Sequence, residues 1–241
     1  MSDNVSLRIT GLAKTFTLHN QGSAVIPVFG GLELDVFPGE CVVLAGRSGV
    51  GKSTLMRAIY ANYRTSAGHV LVRHRGEMVD LATVAPQQVV DVRRVTLGHV
   101  GQFLRVIPRV PALGIVMEPL LANGWSREDA EARAKALLTR LNLPEALWSL
   151  PPATFSGGEQ QRVNIARGFA FRYPIMLLDE PTASLDPANR DIVVELIHEA
   201  LADGVAMVGI FHDVDVRERV ATRDFVISAF AAQTPVEVEA A

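Results

Sequence analysis

Gly46-Arg47-Ser48-Gly49-Val50-Gly51-Lys52-Ser53 constrains this chain more than any other segment of it. Glycines at these positions let backbone N–H groups turn inward around an anion, and a helix starting beside them adds its positive end. Such a turn needs a strand leading in and a helix leading out. Cys41-Val42-Val43-Leu44-Ala45 is an unbroken apolar run, the pattern of a strand buried on both faces of a parallel sheet. A helix is expected after it, through about Asn62. A plain Gly-rich strand-to-helix turn would use fewer of these residues. The spacing G-x-x-x-x-G-K-[ST] places Lys52 at the β- and γ-phosphates and Ser53 on Mg²⁺. Residues Gly46, Arg47, Ser48, Gly49, Val50, Gly51, Lys52, Ser53 and Thr54 are therefore the candidate nucleoside triphosphate cradle.

The rest of the chain supplies the sheet that such a cradle requires. Ile175–Leu178 and Val205–Phe211 are two further apolar strands, separated by a helix carrying Ile192, Val193, Leu196 and Ile197. Strand–helix–strand alternation of this kind predicts a doubly wound, mostly parallel α/β core. Upstream, Val5–Ile9 and Leu32–Val36 alternate apolar with polar and are joined through a polar loop at His19–Ser23. His69–Arg73 and Met78–Ala82 read as a hairpin, so the N-terminal part is an antiparallel β-subdomain. From about Arg105 to Leu150 the pattern is helical. Ser126 and Asp129 form a capping box there, and Ala130, Ala134, Leu137, Leu138 and Leu141 make one apolar face. A single domain over 1–241 is expected: nucleotide-binding core from 5–102 and 160–230, inserted helical lobe over about 103–159, flexible tail over 231–241.

Composition removes several partners. The net charge of −3 offers no basic excess for nucleic acid. No apolar run reaches the ~18 residues of a membrane span, and the first thirty residues lack a leader pattern. A cytoplasmic protein without direct membrane insertion is expected, with the lone Cys41 as a buried thiol.

Two more segments carry chemistry. Asp179 and Glu180 end the apolar run Ile175–Leu178, and paired acids at a buried strand end are costly unless they hold a cation or polarise a reactant. Asp179 is assigned to Mg²⁺, and Glu180 to orienting or deprotonating an attacking water. Phe155-Ser156-Gly157-Gly158-Glu159 opens a helix carrying Val163, Ile165, Ala166 and Phe169, which makes a second anion site or simply an N-capped helix.

The ordered set resembles the ATP-binding cassette (ABC) ATPases over nearly the whole chain. The resemblance implies a Mg²⁺-dependent ATPase of the P-loop NTPase fold with an N-terminal antiparallel subdomain and an inserted helical subdomain. Ser156, Gly157, Gly158 and Glu159 would match the family's signature motif, with Phe155 in place of its usual leucine. Two cassettes, identical or sister, would pair head to tail, each signature covering the γ-phosphate held by the other chain. Gln102 looks like the Q-loop glutamine, reaching Mg²⁺ and the attacking water. Asp186 in Ser184-Leu185-Asp186 resembles the D-loop acid that crosses the dimer, though before Pro187 it would also serve as a helix N-cap. His212 would be the switch histidine at the γ-phosphate, preceded by Phe211 where the family has threonine. Phe16 would stack on adenine, at a position that favours tyrosine.

Tyr60–Tyr63, Gln102–Arg109, Thr154–Phe169 and Val208–Asp213 are also similar to the cassette subunit family (PhnL-type) of the bacterial carbon–phosphorus lyase system. That resemblance implies phosphonate catabolism: a subunit of a transferase forming α-D-ribose 1-methylphosphonate 5-triphosphate from a nucleoside triphosphate and methylphosphonate. Other lyase subunits would be its partners and would supply the glycosidic chemistry, since no extra nucleophile or acid pair stands out here. The alternative is the ATPase subunit of an ABC transporter of the lipoprotein-release or macrolide-exporter type. A small-molecule P-loop kinase fails on the signature segment, and chromosome-maintenance ATPases fail for want of a coiled-coil arm.

Overall fold

The computed structural model describes residues 4–18, 24–104 and 109–230. β1 (Leu7–Leu18) and β2 (Ala24–Val36) pair antiparallel, from Leu7 opposite Val36 to Leu18 opposite Ala24. β3 (Cys41–Ala45) feeds α1 (Lys52–Ile59), and β4 (Ala67–His74) with β5 (Glu77–Asp80) forms the expected hairpin. α2 (Pro86–Val95) leads to β6 (Leu97–Val100). Then come α3 (Ala112–Leu121), α4 (Arg127–Arg140) and α5 (Gly157–Ala170), followed by β7 (Ile175–Asp179). α6 (Pro187–Ala202), β8 (Ala206–Ile210), α7 (Val214–Val220) and β9 (Arg223–Val226) complete the order. The antiparallel sheet runs β2-β1-β4-β5 and the other runs β6-β7-β8-β3-β9, with parallel pairing throughout. The loop at His19–Ser23, the segment Arg105–Pro108 and the tail 231–241 lie outside the described residues.

Side chains of a strand point alternately to its two faces, and here the faces meet different cores. Cys41 and Val43 of β3, Met176 and Leu178 of β7 and Met207 of β8 join α3, α4, α5 and α6 in one cluster. Val42, Leu44, Ile175, Leu177, Val208 and Ile210 face the other way, toward α1 and the antiparallel sheet. Both faces being covered explains why these strands read as unbroken apolar runs. Cys41 is fully buried within the first cluster, and burial pushes its thiol up to about 12.

The apolar face of α4 is as expected, with Ala130, Ala134, Leu137 and Leu138 buried. Its start differs in detail. Ser126 Oγ accepts from the Asp129 N–H at 3.0 Å, but the Asp129 carboxylate accepts from that hydroxyl at 2.7 Å instead of from a backbone amide. Aspartate is one methylene shorter than the glutamate that completes a full box.

One glycine decides how β4 meets β1. Gly68 has φ +79°, and a Cβ there would lie 2.4 Å from the Gly11 carbonyl and 2.6 Å from Leu12 Cα. The β1–β4 register shifts at this point, between Thr10 and Ala13. Because backbone cannot retreat as a side chain can, Gly68→Ala should destabilise the chain by about 2 kcal/mol, lowering Tm by roughly 4–8 °C in thermal unfolding.

Candidate nucleotide-binding site

The parallel sheet brings the carboxyl ends of β3, β6, β7 and β8 to one edge, where open α/β sheets bind ligands. Beyond β3 the backbone passes through positive φ at Gly46 (144°), Gly49 (80°) and Gly51 (106°). At Gly51 a Cβ would also sit 2.6 Å from Val28 Cγ1, so this position is too crowded for a side chain unless Val28 shifts. α1 then opens without a side-chain cap, leaving its first-turn N–H groups to an outside acceptor. Lys52 Nζ reaches back across the loop to the carbonyls of Gly46 (2.7 Å) and Arg47 (3.0 Å). A cleft of about 170 Å³ lies here, lined by Ser48, Lys52, Ser53, Thr54, Glu180 and His212 among others.

A second cleft of about 240 Å³ shares Ser53 with the first and adds Asp179 and Gln102. Between the two stands Glu180. One carboxylate oxygen pairs with His212 Nε2 at 2.7 Å and the other accepts from Gln102 Nε2 at 3.1 Å. Its backbone has φ 52°, left-handed for a residue with a side chain, a conformation that persists where surrounding contacts over-determine it. One such contact is the Glu180 N–H donating to the Ile210 carbonyl at 2.9 Å. Burial, and then the neighbouring Glu180 charge, raise the Asp179 pKa above the ordinary carboxylate range. The Ser53 hydroxyl, the Asp179 carboxylate and the Gln102 amide are hard oxygen donors, which suit Mg²⁺. Among the described residues no group of three His, Cys, Asp or Glu forms a metal cage. Mg²⁺ bound by few protein ligands keeps waters and takes phosphate oxygens, so the set fits that ion.

The other expected site residues lie elsewhere. Ser156 caps α5 in a full capping box: its Oγ accepts from the Glu159 N–H, and Glu159 Oε2 accepts from the Ser156 N–H at 2.8 Å. Gly157 follows in the first turn, and a Cβ on Gly158 would lie 3.0 Å from the Ser184 carbonyl. Asp186 accepts from the Asn189 N–H (2.9 Å) and side chain (2.7 Å), so it caps α6, and these bonds hold its carboxyl below the usual range. Phe16 lies on β1 with its ring edge-on to Tyr63 at 5.4 Å and Lys14 Nζ 4.5 Å from its centre. None of Phe16, Ser156–Glu159 and Asp186 lines either cleft.

Sequence reading assigned no site role to Arg57, Tyr60 or His99, which line the second cleft. The Tyr60 and His99 rings lie 4.8 Å apart with their planes tilted by 32°, and the Arg93 guanidinium lies 4.4 Å from the Tyr60 ring centre. Arg57 follows Ser53 by four residues on α1, a spacing that puts both on one helix face and could have flagged it. Tyr60 and His99 meet only through the tertiary fold.

The ABC transporter family model matches residues 29–183. The chain belongs to the ABC transporter family. It is 40% identical over 216 residues to the lipoprotein-releasing system ATP-binding protein LolD 2 of Caulobacter vibrioides, covering 89% of this chain and 91% of that one. It is 35% identical over 210 residues to the macrolide export ATP-binding/permease protein MacB of Sodalis glossinidius, covering 87% of this chain and 31% of that protein. Among solved structures, the dimeric form of MJ0796, a bacterial ABC transporter cassette, superposes with TM-score 0.82 at 28% identity over 92% of this chain and 95% of that one. A post-hydrolysis dimer of the same cassette bound to ADP and Pi gives 0.81 at 29% identity, covering 91% and 93%. This is the expected fold: an α/β P-loop cassette with an antiparallel N-terminal sheet, a parallel core sheet and helices.

The carbon–phosphorus lyase resemblance is overturned by these relatives, which are lipoprotein-release and macrolide-export ATPases. With it go the phosphonate transferase activity and the lyase partners. The physical reason lies in where the suggestive segments sit. Thr154–Phe169 runs into the capped helix α5, Val208–Asp213 runs from the end of β8 to His212, and Gln102 touches Glu180; these residues belong to the parallel sheet's carboxyl edge and the helix packed on the sheet.

Asp179 gives this site a stability signature. Its folded pKa lies above its unfolded one, so its proton is held more tightly in the folded chain. Stability is therefore lost as pH rises from the unfolded toward the folded pKa, and the loss persists above it. Asp179→Asn should raise Tm at pH 7, and the gain should vanish at pH values below the ordinary carboxylate range; melts at the two pH values check this.

Proposed function

We propose that this chain is the ATP-hydrolysing cassette of a membrane transporter of the lipoprotein-release or macrolide-export kind, working at the cytoplasmic face of a membrane. The observation that carries the ATPase reading is the Glu180 carboxylate, held by His212 and Gln102 across the cleft from Lys52 and Ser53. The transport reading rests on 40% identity with a lipoprotein-releasing ATPase across 89% of the chain. Among the described residues no helix is long and apolar enough to cross a membrane, so the span would be carried by permease segments beyond them.

ATP phosphates would take the amides of Gly49–Thr54, with Lys52 leaving the Gly46 and Arg47 carbonyls for the β- and γ-phosphates. Ser53, Asp179 and Gln102 would hold Mg²⁺, which neutralises charge developing on the phosphates when bound. Glu180 accepts the proton of the attacking water, while His212 and Gln102 fix the carboxylate that receives it. Phe16 is the adenine platform in this reading. Ser156, Gly157, Gly158 and Glu159 would close over the γ-phosphate of a second cassette, identical or sister, with Asp186 at that boundary. This division of labour suits their distance from both clefts of their own chain. The exposed Phe103, at 77%, stands next to Gln102, where a permease would dock and feel the nucleotide.

Glu180→Gln keeps the side-chain shape and removes the base. ATP turnover should fall by on the order of 10²–10⁴ while ATP affinity by calorimetry is retained. Equal turnover by the two proteins would remove Glu180 from this role. For the transport reading, the tagged chain should co-purify from detergent-extracted membranes of its own host with an integral permease that raises its ATPase rate. Recovery solely from the soluble fraction, without any membrane protein, would overturn it.

A further inference from the structure

Two buried amide side chains on α5 have no part in the chemistry above. Gln161 and Asn164 are 3% and 6% exposed, and their i,i+3 spacing puts them on one face of the helix. Asn164 Nδ2 donates to the Gly101 carbonyl at 2.7 Å and to Gln161 Oε1 at 3.2 Å, using both of its N–H groups. Gln161 Nε2 donates to the Pro181 carbonyl at 2.9 Å. Gly101 immediately precedes Gln102, and Pro181 immediately follows Glu180. On the same face Gly168 meets Val100 of β6, where a Cβ would lie 2.3 Å from Val100 Cγ2, so the helix lies directly on the strand that ends at Gly101.

We infer that Gln161 and Asn164 form a buried relay that positions Gln102 and Glu180 relative to the Ser156-capped start of α5. The relay rests on the ATPase reading for its purpose but not for its geometry. It ties three parts that must act together: the helix start offered to a second cassette, the glutamine of the second cleft, and the water-activating carboxylate. A tilt of α5 is passed to both carbonyls, because each is held by a direct bond from a buried amide of that helix. It also helps over-determine the left-handed backbone at Glu180, whose following residue it grips. Both are positioning residues, since neither lines the clefts. Apolar side chains of similar shape would fill the same volume and leave the Gly101 and Pro181 carbonyls unpaired.

The test uses the full chain with Asn164→Leu, Gln161→Met, the milder Asn164→Ser, which keeps a donor, and the core control Val163→Ala. In the first two variants kcat for ATP should fall at least about tenfold with KM within about twofold, and Asn164→Ser should be intermediate. Hydrogen exchange should speed at least about tenfold in segments 101–104 and 181–185 and stay unchanged in 46–54. Val163→Ala should lose comparable Tm yet keep most of its kcat. Unchanged exchange in those two segments overturns the relay. A control that slows turnover as much as the relay variants, or failure of all three relay variants to fold, marks a packing role and overturns it too. A parent chain without ATP turnover counts against the ATPase reading, while the exchange readout still decides the relay.

Discussion

Parallel pairing of β3 with β8, and of β8 with β7, places the ends of three strands side by side, with β6 beside β7. Parallel strands finish at the same edge, so whatever follows each of them is delivered to one line. After β3 comes the glycine turn, after β6 Gln102, at and after β7 Asp179 and Glu180, and after β8 His212. Antiparallel pairing anywhere in this set would send one of these groups to the opposite edge. The sheet survives in this arrangement because both of its faces are covered, by the helices on one side and by α1 with the antiparallel sheet on the other. The site therefore depends on two cores built mostly from residues outside it.

Charge at that edge is held by compensation. Asp179 and Glu180 are adjacent carboxylates, and burial opposes the ionisation of Asp179. Glu180 stands on left-handed backbone, and His212 and Gln102 take its two carboxylate oxygens. Adjacent acids thereby have different surroundings, which is what the proposed division into a cation ligand and a base rests on.

Local pattern was enough for much of this. The turn at Gly46–Ser53, the apolar runs of β3, β7 and β8, the face of α4 and the cap at Ser156 were legible because each is set by neighbours within a few residues. Asp186 is instructive: its helix-cap reading and its dimer-crossing reading were both open, and the bonds it makes within its own chain are those of the cap. The carbon–phosphorus lyase reading failed for a physical reason. Segments that looked particular belong to the sheet edge and its helices, which every chain doing this chemistry must build in a similar way.

By itself the sequence determined the glycine turn, the buried strands β3, β7 and β8 and the residue types available for ATP chemistry, since periodicity and glycine placement are local properties; α2, β6, α7 and β9 were not read from it. Tertiary structure decided which of those residues meet. Gln102 reaches Glu180 across 78 residues of chain, and His212 reaches it across 32. Asn164 finds the Gly101 carbonyl across 63, and the two faces of one strand enter two separate cores. Such contacts are fixed by strand order and helix docking, and no spacing along the chain encodes them directly.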